Sequence, residues 1–194
     1  MADKKNKVEF GISNLYVGEY TEDEDGAVTL GTPYHQPGAT TLSMDPEGDS
    51  NEFYADNTKY WNEYMDNGFS GTLTVAKFDD EFKTKFLGFV KMSDGGIAKL
   101  KTAIKPKVYI AFQAEGDVKE RRALLLNVTL GGIKREYATV EDKKTPATES
   151  VDITVNGSTK LGLTQITYNP EDTGYKNLFT TPTVPTIATG SGGA

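Results

Sequence analysis

The stretch of this chain closest to a metal signature is Asp23-Glu24-Asp25-Gly26, a D-x-D-G fragment of the kind found inside calcium loops. Such a loop needs carboxylates or close equivalents at its two ends. Setting Gly26 at the sixth place puts Thr21 first and Thr32 last, so the fragment reads as a solvated acidic turn between two strands. His35, the single histidine, lies between Pro33 and Pro37 in a chain without cysteine. That leaves no credible thiolate–imidazole metal set and no Ser-His-Asp arrangement. The G-x-S-x-G elbow, the P-loop and the dinucleotide fingerprint are missing as well. Carboxylates are plentiful enough for a glycosidase pair, yet none stands in a context that would raise one pKa. Lys119, Arg121 and Arg122 form a small basic cluster at a hairpin end, read as a surface or interface charge group because no aromatic residues interleave. No catalytic, cofactor-binding or metal-binding residue is assigned, and the reading is not an enzyme. What remains is the chemistry of contact. Tyr60, Trp61 and Tyr64 sit among Asp, Asn, Glu and Lys, a mixture suited to a surface that reaches for a partner.

Bulk properties agree. The 194 residues suffice for one full-sized domain with a real core. A net charge of −7 recommends no sustained binding to nucleic acid phosphates and favours solubility. Absence of cysteine excludes a disulfide framework and leaves the compartment open, with a lean towards the cell interior. The start, M-A-D-K-K-N-K, has no apolar region behind it and is not a secretory signal. No apolar run approaches the ~18 residues of a membrane span. Twenty glycines with frequent Thr, Val and Tyr favour β structure with many turns.

The elements follow from periodicity. Residues 1–7 are polar and expected as a mobile arm. Val8, Phe10 and Ile12 alternate as a strand, continued by Leu15 to Tyr20. Short strands are expected at Val28–Thr32 and Ala39–Met44, with the intervening prolines marking an edge or a loop. Asp45-Pro46-Glu47-Gly48-Asp49 carries turn chemistry and is expected as a hairpin tip between Thr41–Met44 and Glu52–Asp56, followed by a long polar loop. Phe69 to Val75 is a strand. Phe78, Phe82 and Phe86 recur four apart behind Asp79, Asp80 and Glu81, which predicts an amphipathic helix over 79–88 with Gly88 as its cap. That stripe is core and not a cofactor box.

Asp94-Gly95-Gly96 is a loop, and Ile97 to Ile104 is expected as a short helical or irregular segment. Val108 to Gln113 and Ala123 to Leu130 predict a long central hairpin, apolar on both faces of its second strand. Ile133 to Val140 reads as mixed strand or loop, and Glu141 to Ser150 as a surface linker. Val151, Ile153 and Val155 run into Asn156-Gly157, which predicts a tight hairpin to a strand spanning Leu161 to Tyr168. From Asn169 the Thr/Pro-rich sequence fits an extended arm ending in a flexible G-S-G-G-A tail, which is also the composition of a cloning remnant.

Taken in order, S-M-D-P-E-G-D, E-F-Y-A-D-N, G-F-S-G-T-L-T-V, the acidic-start helix ending F-L-G, K-P-K-V-Y-I-A-F-Q and A-L-L-L-N-V-T-L resemble the major tail proteins, or tail tube proteins, of siphophages, the phages with long non-contractile tails. The resemblance covers roughly residues 7–168 and rests on order and spacing. It implies a mainly β fold with one flanking helix, a β-sandwich whose strands join an inner β-barrel in a ring. On that pattern 1–168 is a single tail-tube domain, with 45–68 as hairpin tip and long loop, and 169–194 is a C-terminal arm. It further implies six copies per ring and stacked rings forming a conduit for the genome. The implied partners are a tape-measure protein, a tail-tip initiator and a tail terminator. DNA passes without specific binding, and no cofactor is required. The protein would be made in the host cytoplasm and reside in the virion tail.

Three readings of the residues fit this picture. A ring of paired strands removes exposed edges. Arms and the polar-aromatic loop could tie one copy to the next, with Asp45, Pro46, Glu47, Gly48, Asp49, Tyr60, Trp61 and Tyr64 as the expected inter-subunit contacts. An acidic lumen would repel phosphates. The rival readings are a monomeric β-sandwich binding module of a phage particle, using Tyr60, Trp61 and Tyr64 as a ligand platform, and a head decoration protein.

Overall fold

The computed structural model of the chain describes residues 11–137 and 146–187. In chain order the strands are β1 (Gly11–Glu22), β2 (Val28–Leu30), β3 (Tyr34–His35), β4 (Ala39–Ala55), β5 (Thr58–Val75), β6 (Phe89–Lys91), β7 (Ile97–Lys99), β8 (Val108–Glu115), β9 (Arg122–Arg135), β10 (Glu149–Val155) and β11 (Gln165–Tyr168). Helix α1 (Asp80–Phe86) follows β5, and α2 (Thr173–Asn177) follows β11. One antiparallel sheet runs β2-β1-β8-β9-β10-β5-β4, with β3 beside β1 and β11 beside β9, while β6 and β7 pair separately. The sheet curls, so that β4 comes to lie near β1 with no ladder between them.

Two hydrophobic clusters result. The inner one gathers Leu15 and Val17 of β1, Leu73 and Val75 of β5, Ile110, Leu125, Val128 and Ile153 under Phe78, Phe82 and Phe86. The second lies on the other face of β1, β8 and β9, where Tyr20, Tyr109, Ala111, Leu124 and Leu126 meet Tyr168 and Leu178. Leu124, Leu125 and Leu126 are all fully buried, as expected of a strand covered on both faces. At Asn127 the backbone turns to φ 51°, beside a register shift between β8 and β9. This bulge exchanges the faces: Leu124 and Leu126 serve the outer cluster, whereas Val128 and Leu130 serve the inner one.

Helix α1 forms where the phenylalanine spacing places it. The Asp79 carboxylate accepts the Phe82 N–H at 2.7 Å, Asp80 and Glu81 occupy the first turn, and Gly88 follows at φ 70°. Phe78 and Phe82 stack at 4.8 Å between ring centroids. Asp79 also accepts a hydrogen bond from Tyr34 Oη, and burial together with that carboxylate raises the phenol's pKa.

Four expectations are corrected. Asp45–Asp49 is not a turn: it is paired strand, from Asp45 opposite Ser70 to Asp49 opposite Met65. Pro46 is tolerated because β4 is the sheet edge, where a missing N–H breaks no outer ladder. The chain reverses instead at Asp56-Asn57, both at positive φ (51° and 61°), the sign a type I′ hairpin requires. Residues 45–68 are therefore one long ribbon and not a tip followed by a loop. Ile97–Lys99 is a strand, so Asp94-Gly95-Gly96 is the turn of a small hairpin.

Asn156-Gly157 joins no tight hairpin, because β11 pairs with β9 and not with β10. The Asn156 N–H bonds Asn127 O, and residues 158–163 close their own loop before β11 rejoins β9. Last, residues 169–187 are not simply extended. They contain α2, bury Leu178, and stack Phe179 on Tyr16 at 4.6 Å. The expected N-terminal arm with Val8 and Phe10, residues 141–145 of the expected Glu141–Ser150 linker and the G-S-G-G-A tail lie outside the described residues, and Glu149 and Ser150 of that linker already belong to β10.

Candidate assembly interface

The β4–β5 ribbon is the feature that the fold does not use. Its root, Phe69–Val75 of β5, is sandwiched in the sheet between β4 and β10. Beyond Val155, opposite Phe69, β10 ends, and residues 47–67 continue as two strands with no third beside them among the described residues. Isolated two-stranded ribbons are marginal in water, since they bury almost nothing. Exposure bears this out: Phe53 59%, Tyr60 76%, Trp61 46%, Tyr64 60% and Met65 51%.

Register sorts these side chains. Phe53 faces Trp61, Asn51 faces Glu63 and Asp49 faces Met65, which puts all six on one face. Ser50 faces Tyr64 and Glu52 faces Asn62 on the other. The register shift between Phe53 and Tyr54 leaves Tyr60 as the unpaired bulge residue. On the second face Glu52 binds Lys59 Nζ and accepts Tyr54 Oη at 2.8 Å, and the ammonium, then the phenol, hold its carboxyl below the ordinary value. Tyr64 lies over Gly48, where a Cβ would fall 2.2 Å from the phenol oxygen. A glycine in an exposed strand is thus covered by its cross-strand neighbour.

Of the expected contact residues, Asp45 and Pro46 sit at the root, Glu47, Gly48 and Asp49 begin the free ribbon, and Trp61 and Tyr64 point to opposite faces. The three aromatics therefore share no single platform. Phe53, Tyr54 and Met65 are exposed on the same ribbon and were not among the expected contact residues. Their signal was present as a strand-like run with polar residues on both parities, which leaves no face to bury. Charge concentrates here too. Asp45, Glu47, Asp49, Glu52, Asp56, Glu63 and Asp66 stand against Lys59 alone, a net of −6 within a chain of −7.

The sheet behind the ribbon offers a second surface. On the inner cluster's side, β4, β5 and β10 present Leu42, Leu73, Val75, Val151 and Ile153. Their opposite face is not covered by any element among the described residues and carries Thr41, Ser43 and Asp45, then the half-buried Ser70, Thr72 and Thr74. Ser150, Asp152 and Thr154 extend it on β10, with Lys134 of β9 paired to Asp152 at 2.7 Å. The outer edge of β4 has no strand beside it among the described residues.

Other chemical candidates are structural. Asp23 Oδ1 accepts the Ala27 N–H at 2.7 Å, closing the β1–β2 turn. His35 packs its ring 4.9 Å from Tyr16. Arg121 Nε reaches the buried Asp117 at 2.7 Å, and the Arg122 guanidinium lies over Tyr175 and Phe179 at 3.9 and 4.2 Å. Among the described residues no group of three or more His, Cys, Asp or Glu could hold a metal ion.

The family described as phage tail tube protein matches residues 1–152 of the sequence. The chain belongs to that family. No curated protein matches it in sequence. Among solved structures, this tube protein is similar to the sheath/tube terminator of an extracellular contractile injection system in the extended state. The TM-score is 0.51 at 9% identity, over 84% of this chain and 98% of that one. The anti-feeding prophage tube-terminating cap gives a TM-score of 0.49 at 11% identity, covering 87% and 99%. The tube–sheath complex of the former system gives 0.47 at 13%, covering 84% and 94%. At 9% identity the first of these likenesses speaks to fold alone. A mainly β tail-tube fold, structural in role and part of the virion tail, is thereby established for this chain, and no helix among the described residues is long and apolar enough to cross a membrane.

Proposed function

We propose that the protein polymerises as stacked six-membered rings into the tube of a long non-contractile tail, through which the genome reaches the host cell. The observation that carries this is the unsupported β4–β5 ribbon, whose exposed aromatics have no core to pack on among the described residues of their own chain. Closing a ring gives the open β4 edge a neighbour. The bare face of β4, β5 and β10 then becomes the lumen lining. Short hydroxyl side chains with Asp45 and Asp152 make a smooth wall that offers phosphate few cations to grip. The 45–68 segment, as a ribbon, ties copies together, and the partners are a tape-measure protein, a tail-tip initiator and a terminator. The role needs neither a catalytic step nor a cofactor, and the chain is made in the host cytoplasm. Trp61 and Tyr64 on opposite faces leave the monomeric binding module without its platform.

The test is electron microscopy of the purified chain across a concentration series, repeated with isolated tail tips as seeds. Hollow tubes of uniform width with a negative lumen are expected. A chain that stays monomeric even when seeded, or tubes whose lumen maps positive, would overturn the reading.

A further inference from the structure

Four places in the chain set an Asp or Asn directly before a glycine: Asp25-Gly26, Asn67-Gly68, Asp94-Gly95 and Asn156-Gly157. Such a pair can react with itself. Glycine has no Cβ to shield its backbone nitrogen, and that nitrogen can add to the preceding side-chain carbonyl carbon once its proton is removed. Asparagine is the more reactive of the two residues, because its amide nitrogen departs as ammonia. In a folded chain the step depends on the glycine N–H, since a hydrogen-bonded N–H must first be freed by local opening.

Three of the four N–H groups are held. Gly26 donates to Asp23 O and Gly95 to Met92 O, each at 3.0 Å. Gly68 donates to Asp66 Oδ1 at 2.9 Å, while the side chain of Asn67 is engaged by Asp49 Oδ2 at 3.4 Å. Gly157 is the exception: its N–H has no acceptor among the described residues. The groups on either side of it are used, Asn156 N–H by Asn127 O at 3.2 Å and Gly157 O by Asn127 Nδ2 at 2.8 Å. Asn156 itself is exposed, and its amide reaches only Asn127 O, at 3.5 Å. The fold also requires glycine here. Its φ is 72°, and a Cβ would fall 2.8 Å from Leu163 O.

We propose that Asn156-Gly157 is a self-modification site, where the folded chain converts its own asparagine into aspartyl and isoaspartyl linkages. Hydroxide takes the Gly157 N–H proton, and the nitrogen forms a bond to Asn156 Cγ. The Cγ–Nδ2 bond breaks, and Nδ2 leaves as ammonia with a proton from water. A cyclic imide remains, which water opens. Breaking the bond between the imide nitrogen and Cγ gives aspartate, whereas breaking the bond to the backbone carbonyl carbon gives isoaspartate, with an added carbon in the main chain. One water is gained, one ammonia is lost, and the chain becomes one charge more negative. The place has consequences for the fold. Asn156 directly follows β10, and Gly68 at the root of the free ribbon packs so close that a Cβ there would fall 2.0 Å from Val155 O and 3.7 Å from Asn156 Cα. A lengthened main chain at 156 therefore disturbs the junction from which the ribbon leaves the sheet.

The experiment is cleavage of the full chain by hydroxylamine in mildly alkaline buffer, which traps the imide and cuts after the asparagine. Folded protein should be cut between Asn156 and Gly157 at least about tenfold faster than between Asn67 and Gly68, whose N–H must first be released. In urea the protection is gone, and the two cuts should proceed at comparable rates. Peptide mapping of the folded chain after ageing without hydroxylamine should find isoaspartate at 156, and Asn156→Gln, an exposed change that leaves the glycine in place, should abolish it. Equal cutting at the two sites in the folded chain would overturn the proposal. So would a folded chain cut only after Asn67, or one cut at neither site while the unfolded chain is cut at both. None of these outcomes depends on whether tubes form.

Discussion

The molecule contains two long antiparallel hairpins, and they differ in nearly everything but backbone geometry. In β8–β9, residues Val108 to Ala111 and Leu124 to Leu126 are fully buried between two hydrophobic clusters. In β4–β5, every residue from Asp45 to Tyr54 is exposed. The first hairpin has both faces covered by its own chain. The second is ordered beyond its root by local pairing only. A regular ladder is thus compatible with two uses, and side-chain burial tells them apart: one hairpin holds the monomer together, while the other is available to hold monomers to each other.

The sharpest way to break this contrast is one truncation in each hairpin. Leu125→Ala removes a fully buried side chain from the inner cluster and should cost about 2–5 kcal/mol in urea denaturation. Trp61→Ala should leave monomer stability within about 0.5 kcal/mol, because it deletes no intramolecular core contact. Its effect should show in tube yield instead. If Trp61→Ala destabilised the monomer as much as Leu125→Ala, the ribbon would be folded against its own chain and the contrast would collapse.

The turns differ as the strands do. At the β8–β9 end the Asp117 carboxylate accepts from the Lys119 and Arg121 N–H groups at 3.0 and 3.1 Å and from Arg121 Nε at 2.7 Å. Burial on its own would raise this carboxyl's pKa, but the three donors and the nearby guanidinium outweigh it and the value falls below normal. A depressed acid contributes stability that is present above its unfolded pKa, about 3.9, and is lost as pH falls through the lower folded value. Asp117→Asn should cost about 1.5–3 kcal/mol at neutral pH and flatten the acid limb of the stability curve. Equal acid limbs for both chains would show that Asp117 is not the group being protonated.

Legibility in the sequence divides along the same line. The β8–β9 hairpin and α1 were readable because burial imprints a period: two-faced apolar alternation in one, Phe78, Phe82 and Phe86 four apart in the other. The ribbon has no buried face, so it has no period to read. Its strongest local marks, Pro46 and Gly48, misled because an edge strand tolerates a proline and Tyr64 covers the glycine. The true turn at Asp56-Asn57 has no glycine to announce it. Asn156-Gly157 failed for another reason: β10 and β11 both belong to β9, and such long-range pairing overrides the strongest local hairpin signal. The exposed aromatics Tyr60, Trp61 and Tyr64 were visible from composition as candidates for contact, whereas joining Phe53 and Met65 to Trp61 on one face needed the register.

The finest adjustment to the comparison lies at the ribbon's own turn. Asn57 is held at φ 61°, a region asparagine tolerates and glycine enters freely. Asn57→Gly creates the Asp-Gly pair most favourable to a type I′ hairpin. If the distal ribbon is energetically separate from the core, the gain stays local. Amide hydrogen exchange between residues 48 and 66 should then slow in the monomer, while the urea midpoint moves by less than about 0.5 kcal/mol in stability. Assembly should quicken slightly, since less ordering remains to be done when a ribbon meets its partner. A matching shift in the global midpoint would mean that the ribbon and the core unfold as one unit, and the two hairpins would then differ in burial but not in independence.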